Sequence, residues 1–263
     1  MNLNIKNKVA FVGGSSKGIG KGIALQLAKE GANIILCARN KLPLEKVAKL
    51  IKKEYKVDVL QIPVDLSDIN ALKHAVQQSL AYFKHIDILV VNSGGPKPGR
   101  FFELNDDDWE IAYRSVLLYA IELYKLIIPL MKKKKWGRII NITSLSVKEP
   151  NESLVLSNVF RSGITSLAKS LSTELYENGI TINNVCPGAF KTDRTIELIN
   201  NKAISDGKTV EEIEEELTKR LPRKEFSSIQ DIGNLVAFLS SDASKEITGA
   251  TIQIDKGMYK GLF

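Results

Sequence analysis

The stretch Gly13–Gly14–Ser15–Ser16–Lys17–Gly18–Ile19–Gly20 joins a short apolar run to a helical pattern. Glycines at 14, 18 and 20 permit a tight turn, a close approach of the backbone to a diphosphate and close helix-to-strand packing. The free N–H groups of the helix start then face the anion. The spacing is G-x-x-x-G-x-G, not G-x-G-x-x-G, and a glycine-rich turn between a strand and a helix can also be purely structural. Other chemistry is short of material. The two histidines, His74 and His85, without any CxxC, supply no metal site. Cys37 and Cys186 both lie in apolar runs and suit buried thiols in a reducing compartment.

Two alternating patterns must position that turn. Val9–Val12, Asn33–Cys37, Val57–Ile62, Asp87–Val91, Arg138–Ile142, Thr181–Val185 and Thr251–Ile254 are short, rich in Val and Ile, and bounded by Gly, Asp, Asn or Pro, which predicts strands. Between them, apolar residues recur at three- and four-residue spacing over Ile19–Glu30, Leu42–Glu54, Ile69–Phe83, Ile111–Lys134, Leu154–Glu177 and Ile229–Leu239, which predicts helices. The fold class is α/β: one Rossmann-like, doubly wound parallel sheet of seven strands with helices on both faces. At 263 residues with 44% hydrophobic and 25% charged residues, the chain reads as a single domain, 1–263. One region, about 193–226, breaks the rhythm. It is strandless and charged, and Val210–Leu217 carries five glutamates, so it reads as a solvated helical insertion or as a lid over a cleft.

The net charge of +7, from 37 Lys+Arg against 30 Asp+Glu, raises the question of a polyanionic partner. The lysines are scattered, and the dense run Lys132–Lys135 closes an amphipathic stretch where cations complement a helix C-terminus, so no nucleic acid is expected. No membrane is expected either, because even Leu117–Met131 is interrupted by Glu122 and Lys125. Met1–Lys8 has no apolar signal core, which predicts a cytoplasmic protein.

Further motifs recur at the ends of the later strands: Asp65 after the third, Asn92–Ser93–Gly94–Gly95 after the fourth, Asn141–Ile142–Thr143–Ser144 after the fifth, and Pro187–Gly188 with Thr192–Asp193 after the sixth. With the glycine turn, these five motifs in this order resemble the short-chain dehydrogenase/reductase family over essentially the whole chain. The resemblance implies a nicotinamide dinucleotide held by Gly14, Ser16, Lys17, Gly18, Ile19, Gly20, Arg39, Asp65, Leu66, Asn92, Ser93, Gly94, Arg161, Pro187, Gly188 and Thr192. Within that set Asp65 would meet the adenine, and Pro187, Gly188 and Thr192 the nicotinamide half. A carboxylate just after the second strand would accept the ribose hydroxyls of NAD. This chain has Cys37–Ala38–Arg39–Asn40 there, and Arg39 with Lys17 can pair with a 2′-phosphate, which favours NADP(H) over NAD(H).

The family's reductases use an Asn, a Ser, and a Tyr with a Lys four residues later. Ser144 matches the serine. By the resemblance, the tyrosine position falls on Ser157, the lysine position on Arg161 and the asparagine position on Val116. Ser144, Ser157 and Arg161 are thus the expected catalytic residues. An alkanol is too weak an acid to replace tyrosine, whereas a fixed guanidinium can still hold a ribose and stabilise an oxyanion. The proton would then come through water, a ribose hydroxyl, or another residue such as Lys148, which otherwise reads as an exposed loop lysine. Tyr113, Tyr119 and Tyr124 read as packing or interface residues, and Tyr259 as one that could approach a neighbouring site. The resemblance, closest in pattern to 3-oxoacyl-(acyl carrier protein) reductases, implies an oxidoreductase acting on a small-molecule or acyl-thioester carbonyl. It also implies a homotetramer or homodimer. The rival reading is a non-catalytic NADP(H)-binding sensor or the inactive partner subunit of a reductase.

Overall fold

Runs of Val, Ile and Leu form strands here because branched side chains pack well on a pleated surface that is covered on both faces. The computed structural model describes residues 2–262, with Arg194 described through its backbone only. Its strands are β1 (Val9–Gly13), β2 (Asn33–Ala38), β3 (Val59–Pro63), β4 (Ile88–Val91), β5 (Gly137–Ile142), β6 (Ile180–Pro187) and β7 (Thr251–Ile254). They make one sheet in the order β3-β2-β1-β4-β5-β6-β7, with every neighbouring pair parallel. The seven-stranded, doubly wound sheet expected from the sequence is therefore present. The strand order reverses between β1 and β4, which opens a crevice at the carboxyl edge, where such sheets bind ligands.

The helices are α1 (Gly18–Lys29), α2 (Lys41–Tyr55), α3 (Ile69–Phe83), α4 (Asp106–Ala112), α5 (Tyr119–Lys134), α6 (Val155–Tyr176), α7 (Asp193–Asp206), α8 (Val210–Thr218) and α9 (Ile229–Leu239). Along β1 the side chains alternate between two cores. Ala10 and Val12 join Ile23, Leu27, Ile34 and Val236 on one face, while Val9 and Phe11 join Ile35, Leu89, Tyr119 and Ile164 on the other.

One boundary differs from expectation. The helix expected over Ile111–Lys134 begins at Asp106 and includes a wide π-helical stretch, Tyr113–Leu118, before α5. Its start carries no apolar residue for periodicity to detect; it is set by a reciprocal cap in which the Asn105 side chain accepts the Asp108 N–H and Asp108 accepts the Asn105 N–H. Lys132, Lys133 and Lys134 occupy the last turn of α5, as their dipole complementarity predicts, and Lys134 reaches the buried Asp87 at 2.6 Å.

A buried chain of side-chain hydrogen bonds crosses the strands that carry the site. The Tyr124 hydroxyl donates to Asn141 Oδ1 (2.6 Å), Asn141 Nδ2 donates to Asn184 Oδ1 (2.9 Å), and Asn184 Nδ2 donates to Thr251 Oγ1 (3.2 Å). Asn141, Asn184 and Thr251 are register partners across β5, β6 and β7, so the chain locks that register. Burial pushes the Tyr124 phenol far up, which keeps it a donor. Tyr124→Phe should leave the Asn141 oxygen unpartnered and lower stability by ~1–3 kcal/mol. Urea unfolding should show this as a lower midpoint with an unchanged slope.

Candidate active site

The glycine turn is shaped by what a side chain would strike. A Cβ at Gly20 would lie 2.3 Å from the Gly14 carbonyl oxygen, and one at Gly14, whose φ is +59°, would lie 2.8 Å from Asn92 Nδ2. Ser15, which the sequence reading passes over, ties the turn to β2: its hydroxyl accepts the Cys37 N–H at 3.0 Å, and its own N–H donates to the Cys37 carbonyl. Ser16 is half-buried and Lys17 exposed. Lys17 precedes α1 without offering a side-chain cap, so the first N–H groups are left to other acceptors. One has an acceptor from afar: Gly18 N–H donates to Asp193 Oδ2 at 2.6 Å. A carboxylate thus sits where the sequence places a phosphate. Beside it, Thr192 stands 3.5 Å from the Cβ that Gly18 lacks, and the space around Gly94 is open.

Neighbouring strand ends contribute in turn. Arg39 is exposed after β2. Asp65, also exposed, accepts the Ser67 N–H (2.9 Å) and hydroxyl (2.7 Å). Burial works against its ionisation, but the Ser67 hydrogen bonds and the charge of Arg39 outweigh it and hold the carboxyl below its usual range. Leu66 turns its side chain into the core, so only its backbone is left for a ligand. Asn92 donates from Nδ2 to the Gly13 carbonyl at 2.9 Å and is buried, which makes it a strut between β4 and β1; Ser93, half-buried, donates to the Gly94 carbonyl.

The residues expected to be catalytic lie just after β5 and in the first turns of α6. Ser144 is half-buried and accepts the Ser146 N–H at 3.1 Å. Ser157 does not pair with Ser144. Its hydroxyl lies 3.3 Å from that of Ser146, a residue with no sequence signal, so Ser146 joins the two. Arg161 lies one helical turn beyond Ser157 on the same face of α6. It is only 7% exposed, and its Nη1 donates to the carbonyls of Ile142 (2.7 Å) and Thr143 (3.1 Å) at the end of β5. Burial pulls the guanidinium down to about 10, still a cation at neutral pH. Val116, at the expected asparagine position, is buried in the π-helical stretch and offers no polar group.

Cys186 is the shared neighbour of this cluster. Its sulfur lies 3.2 Å from Thr143 Oγ1, accepts the Ser144 N–H, and feels the charges of Lys148 and Arg161. Burial outweighs these effects and pushes the thiol up, so it carries no charge at neutral pH. One expectation needs correction. Lys148 is half-buried rather than exposed, because the turn Leu145–Val147 directs the chain back over the sheet edge. Tyr259 stands at this chain's own sheet edge, with its ring 5.5 Å from Lys148 Nζ. Asp255 holds the tail there by accepting the N–H groups of Gly257 (3.0 Å) and Tyr259 (2.8 Å).

Gly188 donates to the Ile254 carbonyl beside the half-buried Pro187, and a Cβ on Gly188 would lie 2.9 Å from Asp255 Cα. Thr192 caps α7 by accepting the Thr195 N–H. The two ends of the 193–226 region meet where the Lys191 N–H donates to the Ser227 carbonyl and the Ser227 N–H to the Ala189 carbonyl, and Ile199, Ala203, Ile213 and Phe226 give it a small core of its own.

Residues 14–259 match the family described as Enoyl-(Acyl carrier protein) reductase. The chain is 33% identical over 254 residues to the 3-oxoacyl-(acyl-carrier-protein) reductase FabG of Staphylococcus epidermidis, covering 96% of this chain and 99% of that one. It is 29% identical over 259 residues to the NADPH-dependent reductase BacG of Bacillus subtilis, covering 98% and 100%. Among solved structures, L-sorbose reductase from Gluconobacter frateurii, complexed with NADPH and L-sorbose, superposes over 100% of both chains with a TM-score of 0.96 at 29% identity. A reversed parallel sheet, a glycine turn that accepts an anion at its crevice, and likeness along nearly the full length establish that the chain belongs to the short-chain dehydrogenase/reductase family.

Proposed function

We propose that the protein is a cytoplasmic NADP(H)-dependent oxidoreductase that interconverts a carbonyl compound and its alcohol, with Ser157 and Arg161 standing where related enzymes carry tyrosine and lysine. The observation that carries this reading is the Asp193 carboxylate on the Gly18 N–H, an anion already seated in the glycine turn. It fits a diphosphate, and Lys17 and Arg39, both exposed and near that end of the sheet, fit a 2′-phosphate. NADPH, when bound, supplies the hydride that goes to the carbonyl carbon; one proton to the oxygen completes the alcohol and leaves NADP⁺.

The chain's own groups divide the remaining work. The Ser144 hydroxyl donates to the carbonyl oxygen, and Arg161, fixed by two backbone carbonyls, stabilises the negative charge that develops there and holds the ribose. The Ser146–Ser157 hydroxyl pair orders water that delivers the proton, since neither hydroxyl is acidic enough to lose one to the substrate itself. The remaining predicted residues contact the cofactor: Asp65 and the Leu66 backbone at the adenine, Asn92, Ser93 and Gly94 along the floor, Pro187, Gly188 and Thr192 at the nicotinamide half. The 193–226 region acts as a lid. Asp193 begins α7, so a phosphate that displaces its carboxylate from Gly18 also moves the first turn of that helix. Chains associate as a homotetramer or homodimer through the α4–α5 and α6 face, where Ile111 and Val159 are exposed.

Four outcomes are expected. The purified protein should oxidise NADPH faster than NADH with at least one of a panel of 3-oxoacyl thioesters, ketones, aldehydes and sugars. Arg39→Glu should cut the NADPH preference on the order of 10–100-fold, the worth of one charged hydrogen-bonded contact. Cofactor binding without any turnover across the panel would move the protein to the sensor reading. Ser144→Ala should lower kcat by roughly 100-fold with little change in NADPH affinity, as for the loss of one oxyanion donor. Asp193→Asn removes the competing charge and should tighten NADPH binding several-fold in a fluorescence titration; unchanged or weaker binding would show that the carboxylate does not compete.

A further inference from the structure

Several cations on the rim of the sheet's carboxyl edge reach carboxylates: Lys97 meets Asp108 at 2.7 Å, Arg100 meets Glu152 at 3.3 Å, Lys191 meets Glu214 at 2.5 Å and Lys256 meets Glu225 at 3.2 Å. Lys17 and Arg39, exposed there, are the ones assigned to the cofactor. The two that stand deepest, Lys148 and Arg161, form no ion pair with a carboxylate among the described residues. Both act on the sulfur of Cys186, which is uncharged at neutral pH and cancels neither. Carboxylates are at hand in the sequence: Glu149 adjoins Lys148 but is exposed, Glu152 is engaged by Arg100, and Asp255 spends its oxygens on the tail N–H groups. A half-buried ammonium without a counter-charge is costly to keep, and the ring of Tyr259, 5.5 Å away, returns only part of that cost.

Arg161 has a use for its charge at the reacting oxygen, and two of its donor bonds are already taken by β5. Lys148 has none in the reaction as proposed. We infer that the substrate is a small oxo acid, whose carboxylate is held by Lys148 while its carbonyl lies between Ser144 and Arg161. Lys148 follows Ser144 across a single short turn, Leu145–Val147, and Arg161 is fixed on the carbonyls of Ile142 and Thr143 just before it, so the carboxylate and the carbonyl must lie close together, as in a 2-oxo or 3-oxo acid. Tyr259 is a positioning residue: its ring keeps the ammonium over the pocket instead of in solvent. This assignment rests on the reductase reading for the place of the carbonyl, but the pairing of Lys148 with an anion does not need turnover.

Calorimetric titration of the NADP⁺-bound protein separates the two, because NADP⁺ has no hydride to give to a carbonyl. The probes are 2-oxobutyrate and acetoacetate, their uncharged counterparts butanone and acetone, the neutral ketose L-sorbose, and dihydroxyacetone phosphate. The oxo acids should bind at least tenfold more tightly than the ketones and the ketose. Lys148→Met should abolish that margin without changing NADP⁺ affinity, Lys148→Arg should keep it, and Tyr259→Leu should narrow it. Equal binding of acids and ketones, tighter binding of the phosphate ester than of the acids, or a margin that survives in Lys148→Met would overturn the inference. If NADP⁺ itself fails to bind, the reductase reading falls, and the same titrations on the cofactor-free protein still report whether Lys148 selects the carboxylate.

Discussion

One hydrogen bond stands at the centre of the architecture: Asn92 Nδ2 to the Gly13 carbonyl, 2.9 Å, between the ends of β4 and β1. These strands are neighbours in the sheet but far apart in the chain, and between them the winding changes direction. The loops on either side must diverge there, which opens a crevice at the carboxyl edge of the sheet. Gly14 and Gly20 line it because anything larger would strike Asn92 or the turn itself. The same amide thus joins the two halves of the sheet and sets how closely a ligand's backbone contacts can be made. Tyr119 supports it from below, its buried hydroxyl donating to the Asn92 carbonyl.

The electrostatics of the crevice follow from where charge is compensated and where it is not. Asp87, on the opposite side of the sheet, is buried and fully engaged by the Val9 N–H, His85 and Lys134. Arg138 is likewise buried and paired with Asp242, with Trp136 stacked against its guanidinium. Arg161 is different in kind. It is held by neutral carbonyls, which orient it without cancelling its charge. Under the proposed function that charge is put to use at the end of β5, two residues before Ser144.

Helix α7 links this chemistry to the outer part of the molecule. Its first residue, Asp193, closes onto the glycine turn; its cap, Thr192, faces Gly18; and its inner side packs with α8 through a handful of apolar residues. Ile204, Leu198 and Ile196 remain exposed on it. The segment's apolar core is its own, and its two ends are tied at the sheet edge by the backbone bonds of Lys191 and Ser227.

Much of this was legible in the amino-acid order. Strand count, parallel class and the glycine turn follow from local patterns, since a strand buried on both faces must be apolar throughout and a backbone that approaches an anion must lack a Cβ. Ser144, Ser157 and Arg161 were identified by the family resemblance, and the structure places Ser144 just after β5 and the other two one turn apart on α6. The start of α4 escaped periodicity, being written in a polar cap. What no local pattern carries is which distant groups meet. The interposition of Ser146 between Ser144 and Ser157, the carboxylate of Asp193 on Gly18, and the return of Tyr259 to Lys148 all join residues whose neighbours in sequence say nothing of one another. Hydrophobic periodicity reports which face of an element is buried; only the packed sheet decides which polar atoms that burial brings within hydrogen-bonding reach.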